Sequence, residues 1–346
     1  MQITLKTWFS SLLGAALLGT PAVAQRVVEV SPSRVIELSG QGPLGKPPVV
    51  SSVAVDPAGK LLAAAGDDHL VRTWNLADSR VAHRLSSHTG WVRAVAFRPD
   101  GAVLATAGDD RVVRLWGRSG DRVATELPDH PQAIYALAYS PDGRLLATGG
   151  FENTVRVYDA HEGRLLHLLQ GPGDDIRAVA FSPDDRQLAA AGRNGQIRVW
   201  DVSTGKAVYD LAGPRRRVRT LAYSPDGSLL ASAGDCRAIR LWKTASGEPA
   251  GDLPRRPGNV FALAFCGGKT LASGGSGNVI HVWDLGNARE KCRLVGHTGS
   301  VTTLAFNQQT ATLVSGSFDT TIRVWQWEDR DLQATWRRYG LSEPVK

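Results

Sequence analysis

The stretch from His88 to Trp116 reads HTGWVRAVAFRPDGAVLATAGDDRVVRLW, and this stretch decides the fold. Its apolar run from Val92 to Phe97 is typical of a strand that is buried on both faces. The Pro-Asp-Gly that follows indicates a tight turn, because proline fixes φ and glycine accepts a positive φ. A second apolar run, a Gly-Asp-Asp turn and a β-branched segment complete the stretch, which therefore predicts three antiparallel strands.

The same pattern recurs along the chain. The aromatic residues that end its copies lie at intervals of 42, 42, 42, 42, 41 and 42 residues: Trp74, Trp116, Tyr158, Trp200, Trp242, Trp283 and Trp325. A looser fourth strand follows most copies. Four short strands cannot bury both faces alone, so each unit must pack on its neighbours, and closure into a ring protects the ends. The 37 glycines and 18 prolines argue against a helical bundle, and the 42% hydrophobic content argues against a disordered chain.

This repeat resembles the WD-repeat family of β-propellers. Gly296-His297, Trp200-Asp201 and Trp283-Asp284 carry the resemblance, together with the period. It covers residues 33–326 and implies an all-β fold, a single seven-bladed β-propeller of four-stranded antiparallel blades. In this family an N-terminal strand generally closes the ring as the outer strand of the last blade. The segment Arg34–Leu38 suits that role, and residues 332–336 are the alternative.

The first 24 residues are expected to be a signal peptide. Lys6 precedes an apolar stretch from Trp8 to Leu18, and Ala22-Val23-Ala24 supplies a cleavage site. This apolar stretch is too short to span a bilayer. We therefore expect an exported protein of bacterial type, periplasmic or extracellular, with an N-terminal linker at 25–32, the propeller at 33–326 and a C-terminal tail at 327–346. The alternative is an apolar N-terminus on a cytosolic protein.

Two sets of polar residues look catalytic at first sight. His297, Ser315 and Asp319 fall in one repeat beside Trp325, which suggests a hydrolase triad. The resemblance instead implies a hydrogen-bond network that ties a loop to the strands of its blade. The same set recurs in the second repeat: His88, Thr106, Asp110 and Trp116. A set that repeats with the structural period is expected to be structural, so no catalytic residue is assigned.

The sequence predicts neither a metal site nor a cofactor. Paired aspartates such as Asp67-Asp68 and Asp109-Asp110 lack the alternating oxygen ligands and distant glutamate of a calcium loop. Cys236, Cys266 and Cys292 fall on strands and turns too far apart for a bridge. We therefore expect no intramolecular disulfide.

One face of the ring is the candidate partner-binding surface. The loops before the first strands and the turns between the second and third strands should emerge together there. Residues 213–256 hold nine basic and four acidic residues in a chain of net charge +7. Exposed arginines and aromatics are typical of interfaces, although a basic surface can also be merely solvated. The predicted surface comprises Trp91, Arg93, Tyr135, Phe151, Arg177, Arg193, Arg215, Arg216, Arg217, Arg219, Arg255, Arg256, Phe261 and Phe318.

These observations favour a non-enzymatic interaction scaffold that binds a protein or peptide. The charge favours an acidic partner, and the domain is expected to be monomeric and not inserted in a membrane. The alternatives are a propeller enzyme, such as a lactonase or a quinone-dependent oxidoreductase, and a binder of an anionic polymer. Small neutral residues on the innermost strands argue against an enzyme, and export argues against nucleic acid.

Overall fold

The computed structural model describes residues 27–38, 45–117, 120, 123–127, 130–213 and 215–326. These residues form 29 strands and no helix. Two strands precede the first blade, β1 (Val28–Val30) and β2 (Arg34–Glu37). The strands of blades one to three are β3 (Val50–Val55), β4 (Leu61–Gly66), β5 (Val71–Asn75), β6 (Val81–Leu85), β7 (Val92–Phe97), β8 (Val103–Gly108), β9 (Val113–Gly117), β10 (Val123–Leu127), β11 (Ile134–Tyr139), β12 (Leu145–Gly150), β13 (Thr154–Asp159) and β14 (Leu165–Gln170).

The remaining strands build blades four to seven. They are β15 (Ile176–Phe181), β16 (Gln187–Gly192), β17 (Ile197–Asp201), β18 (Ala207–Leu211), β19 (Val218–Tyr223), β20 (Leu229–Gly234), β21 (Arg240–Lys243), β22 (Pro249–Asp252), β23 (Val260–Phe265), β24 (Thr270–Gly275), β25 (Ile280–Asp284), β26 (Arg289–Leu294), β27 (Val301–Asn307), β28 (Thr312–Ser317) and β29 (Thr321–Gln326).

Within each blade consecutive strands pair antiparallel, so each blade is a four-stranded meander. The innermost strands contact one another in order around the ring, and β27 of the last blade contacts β3 of the first. This confirms the predicted seven-bladed β-propeller of four-stranded antiparallel blades.

An N-terminal strand closes the ring. β2 pairs antiparallel with β29, so the outer strand of blade seven comes from the opposite end of the chain. Ile36 is buried in a cluster with Trp74 and Ile322, and the Arg34 guanidinium donates to the Leu76 carbonyl oxygen of blade one. The alternative strand at 332–336 lies outside the described residues, as do the signal peptide and the tail.

The segment expected to be a linker contains a strand. β1 runs parallel to β26 and extends blade six to five strands, with Val28 opposite Cys292. The two N-terminal strands therefore join blade six to blade seven, and the sequence pattern gave no indication of the first of them.

The apolar core lies between the blades. In one interface Val71 and Leu85 of blade one pack against Val95 and Trp116 of blade two. The aromatic residue that ends each repeat is thus buried against the preceding blade, which explains its strict period.

Every innermost strand carries a bulge near its first residue. The register between the first and second strands shifts at the same place in all seven blades, which leaves one residue unpaired. We call these unpaired positions the mouth ring: Ser51, Arg93, Tyr135, Arg177, Arg219, Phe261 and Thr302.

Candidate functional site

The triad-like residues of blade seven form a closed internal network. His297 contacts the Ser315 hydroxyl at 2.8 Å through Nε2 and Asp319 at 2.8 Å through Nδ1. The Trp325 indole N–H also donates to that hydroxyl, at 3.0 Å. Ser315 is fully buried. A nucleophile needs access to a substrate, and this hydroxyl has none.

The corresponding set in blade two has the same geometry. His88 lies 2.7 Å from the Thr106 hydroxyl and 2.9 Å from Asp110, and Trp116 donates to Thr106 at 2.9 Å. Burial raises the pKa of Asp110, but hydrogen bonds from His88 and Arg114 outweigh it and hold that pKa well below its usual range. Both sets join a loop to the second and third strands of their blade.

Blade three departs from this arrangement. His130 contacts the Thr148 hydroxyl at 2.9 Å, but its Nδ1 has no hydrogen-bond partner among the described residues, since Glu152 bonds Thr154 and Arg156 instead. Burial, reinforced by the charge of Arg156, lowers the pKa of His130 to about 4. This histidine is therefore neutral in the folded protein at physiological pH.

In blade six an arginine takes the place of the framework histidine. Arg256 donates to the buried Glu290 at 2.6 Å, and its guanidinium lies 5.3 Å from the Trp283 ring centre. His281 and Arg293 contact the same carboxylate. Burial raises the pKa of Glu290, but these three partners lower it to about 2. Arg256 was predicted for the partner surface, and the structure gives it a place in the framework of its blade.

Loops and turns of the candidate surface emerge together, as expected. In blade two the Asp109 amide donates to the Trp91 carbonyl oxygen, and in blade four the Arg193 amide donates to the backbone carbonyl oxygen of Asp175. Equivalent hydrogen bonds occur in blades three, five, six and seven. Each turn between second and third strands is thus tied to the loop before the first strand. We call this side of the ring the loop face.

Five of the predicted residues form a continuous stack across blades two to four. We call it the ladder: Trp91, Arg93, Tyr135, Arg177 and Phe151. Guanidinium groups alternate with aromatic rings in it, and the closest contact places Arg177 3.7 Å from the Tyr135 ring centre. Such cation–π contacts hold the side chains in fixed positions.

The arginines of the mouth ring are paired with carboxylates. Arg93 donates to Asp109 at 2.7 Å, Arg219 donates to Asp235 at 2.5 Å, and Arg177 donates to the buried Asp175 at 3.2 Å. Arg217 lies 3.5 Å from the same Asp175 carboxylate. These four arginines were predicted for the partner surface, and in the structure they face three carboxylates, because Arg177 and Arg217 share Asp175.

A second set of arginines has no such compensation. We call it the crescent, and it spans blades four to six: Arg193, Arg215, Arg216, Arg237 and Arg255. All five are exposed, and none has an ion-pair partner among the described residues. Arg193 occupies the position that holds Asp109 in blade two, 16 residues after the bulge. Asp174 is the single exposed acidic side chain in these loops and turns of blades four to six.

The structure groups some predicted residues and separates others. Arg237 belongs to the crescent but was not predicted, and its position in the turn after β20 was the signal available for it. Phe261 packs under Arg219 at 5.0 Å. Phe318 is exposed on blade seven and makes no ring contact with the other described aromatics, so it stands apart from the ladder.

Within the described ranges, three further features bear on function. No group of three or more His, Cys, Asp or Glu residues is arranged to hold a metal. Cys236, Cys266 and Cys292, all inside those ranges, form no disulfide with one another. None of the described residues forms a helix long and apolar enough to cross a membrane.

Comparison with known families decides the classification. The model of the family described as the first β-propeller of IFT122 matches residues 133–332, more than half of the chain. The chain belongs to this β-propeller family. The description "WD domain, G-beta repeat" additionally matches residues 35–75 and 79–117 of the propeller.

Curated relatives match short stretches of this WD-repeat propeller. A U3 snoRNP-associated protein-like protein of Arabidopsis thaliana is 40% identical over 63 residues, which is 18% of this chain and 13% of the relative. Periodic tryptophan protein 2 of Saccharomyces cerevisiae is 37% identical over 67 residues, 19% of this chain and 7% of the relative. A probable cytosolic iron-sulfur protein assembly protein CIAO1 homolog of Caenorhabditis elegans is 34% identical over 88 residues, 23% and 26% of the two chains.

The matched part of this WD-repeat chain spans about a quarter or less of each of these relatives. All three are eukaryotic, so they lend no support to the expectation of an exported bacterial type. Proteins of this class generally act as scaffolds for protein interactions.

Proposed function

We propose that this protein is a non-enzymatic scaffold that binds a protein or peptide partner through its loop face. The observation that carries the proposal is the crescent, five exposed arginines on a closed ring that have no ion-pair partner in the part of the chain that the structure describes. Rigid loops on such a ring bind with little ordering of the protein, which lowers the entropic cost of association.

The internal networks support the absence of catalysis. The hydroxyls of Ser315 and Thr106 are fully buried and already hydrogen-bonded by a tryptophan and a histidine. These hydroxyls stabilise the blades, and we assign partner binding to the loop face instead. The charge of the crescent favours an acidic partner, and the domain acts as a monomer.

We further propose that the protein is exported after cleavage of residues 1–24. The support is the basic, apolar and Ala-x-Ala pattern of that segment. N-terminal sequencing of the protein isolated from its source cells is expected to begin at Gln25. A chain that still begins at Met1 would contradict this proposal.

Affinity capture from source-cell extract at low salt tests the scaffold. The crescent variant carries Arg193→Glu, Arg215→Glu, Arg216→Glu and Arg255→Glu, which leaves every ion pair of the mouth ring intact. The opposite-face variant makes the same change of charge on the other side of the ring, in turns that join first to second or third to fourth strands: Arg80→Glu, Arg144→Glu, Arg164→Glu and Arg186→Glu.

The scaffold proposal predicts a stoichiometric protein that the wild type and the opposite-face variant retain and the crescent variant loses. Equal retention by all three proteins would place the partner elsewhere. Retention of no protein, together with a small molecule in the eluate, would favour a ligand of the channel and contradict the proposal.

A further inference from the structure

The loop face carries two surfaces of different chemistry that follow each other around the ring. The ladder ends at Phe151, whose side chain is 48% exposed, in the turn between β12 and β13. The crescent begins at Arg193 in the corresponding turn of the next blade. Gly195 of that turn lies against the following loop, because a Cβ there would come within 2.4 Å of the Arg216 carbonyl oxygen. The apolar end and the cationic surface meet at blade four, because the Arg177 guanidinium lies 5.6 Å from the Phe151 ring centre and the Arg193 amide donates to the carbonyl oxygen of nearby Asp175.

The arginines of the ladder are paired with carboxylates, and its central ring, Tyr135, contacts two guanidinium groups. Asp109 pairs with Arg93, and Asp175 pairs with Arg177 and is shared with Arg217. Tyr135 lies between two guanidinium groups, at 3.7 and 5.4 Å from its ring centre. A nucleobase binds an aromatic platform through a free ring face. Tyr135 therefore does not serve as a stacking platform, and the exposed, uncharged Phe151 end is where an apolar side chain of the partner can pack.

The crescent, in contrast to the ladder, carries arginines that are not paired with carboxylates of the described chain. Its arginines have no carboxylate of their own in the described chain, so incoming carboxylates need not displace an existing ion pair. The planar guanidinium fork also binds carboxylates through two parallel hydrogen bonds. Charge complementarity of this kind selects an acidic partner and accelerates its association.

We propose that the partner segment is an acidic peptide with an aromatic or large apolar residue at one end. That residue packs against Phe151, and the carboxylates that follow contact Arg193, Arg215 and Arg216. This inference rests on the proposed scaffold function and specifies the chemistry of its partner.

Fluorescence anisotropy with the full chain and synthetic probes tests the inference. The probes are hexaglutamate peptides with one tryptophan at either end, the same peptides with alanine in place of tryptophan, and a single-stranded hexanucleotide RNA. The wild type should bind the better tryptophan peptide at least about fivefold more tightly than its alanine counterpart. Phe151→Ala should abolish that difference without changing the affinity for the alanine peptide.

The charge variants complete the test. The crescent variant should lose about tenfold or more in affinity for every peptide, and the opposite-face variant should bind like the wild type. Thermal melting of each variant confirms that it is folded. The inference is wrong if the RNA binds as tightly as the better peptide, if Phe151→Ala leaves the tryptophan preference intact, or if no peptide saturates below about 1 mM.

The two proposals fail in different ways. If the crescent variant loses a captured protein but the peptides show no preference, the scaffold stands and the inferred peptide chemistry is wrong. If the captured protein is retained by the crescent variant, the scaffold face itself is wrong.

Discussion

The indole N–H of Trp116 donates to the Thr106 hydroxyl at 2.9 Å. His88 contacts the same hydroxyl at 2.7 Å, so one buried oxygen joins the second strand, the third strand and the preceding loop of blade two. A serine hydroxyl accepts the tryptophan N–H in the same way in blades five, six and seven. This repeated contact ties the second strand to the third in blades two, five, six and seven and keeps the hydroxyl buried.

Removing that hydroxyl should destabilise the protein. Thr106→Val keeps the shape of the side chain but leaves two buried polar groups, Trp116 Nε1 and His88 Nε2, without a partner. We expect the free energy of unfolding to fall by about 2 kcal/mol in urea titration. Thr125→Val, on an exposed position of β10, is the matched control and should change stability by less than about 0.5 kcal/mol. Equal effects of the two substitutions would show that the network contributes nothing.

The closing strand supplies a second stability test. Ile36 is 6% exposed and Val35 is 48% exposed, although they are neighbours on β2. Ile36→Ala should lower the free energy of unfolding by about 2–4 kcal/mol, because it opens a cavity at the junction of blades seven and one. Val35→Ala should have a small effect. A similar small effect of Ile36→Ala would indicate that β2 does not close the ring.

Stability should decrease as the pH falls from about 6.5 to about 4. The pKa of His130 is about 4 in the folded protein, below its ordinary value of 6.5. Between these two pH values His130 binds a proton in the unfolded chain but not in the folded protein, so acidification favours unfolding. His130→Gln should flatten this part of the pH profile of the melting temperature. His161→Gln, at an exposed position, should leave the profile unchanged, and an unaltered slope in His130→Gln would contradict the assignment.

The position of the loop that carries Arg215 and Arg216 depends on Gly195 in the neighbouring turn. Gly195 has a φ of +80°, and an added Cβ would collide with the Arg216 backbone, whereas Gly45 has a φ of +73° and open space around the same position. Both changes to alanine carry the cost of a left-handed backbone, about 1 kcal/mol. Gly195→Ala should in addition displace residues 215–216 and weaken capture of the partner, while Gly45→Ala should not. If Gly195→Ala captured the partner as well as the wild type does, this turn would not be part of the binding surface.

The fold and its internal networks could be predicted from the sequence because they repeat. The spacing of Trp74 through Trp325 reports packing that every blade repeats, and the recurrence of a histidine, a hydroxyl and an aspartate in blades two and seven reports the local network of those two blades. The strand β1 could not be predicted in this way, since its parallel pairing with β26 joins residues that are far apart in the chain.

The candidate site could be predicted only in part. Position in the repeat placed Arg177 and Arg219 on the loop face, but it could not show which arginines are already paired. Asp175 and Asp235 pair with them, whereas Arg237 has no such partner within the described ranges and was missed. Pairing depends on how close each carboxylate comes to an arginine in the folded loops, and the residue types of the repeat do not report that distance.

Hydrogen exchange on the purified complex of this protein with its captured partner tests whether the partner binds the loop face. We expect slower amide exchange at residues 215–217 and 253–259 on that face. Exchange in the Pro-Asp-Gly turns of the opposite face should not change. Protection confined to those turns or to the outer strands, with the loop face exchanging as in the unbound protein, would contradict binding of the partner by the loop face.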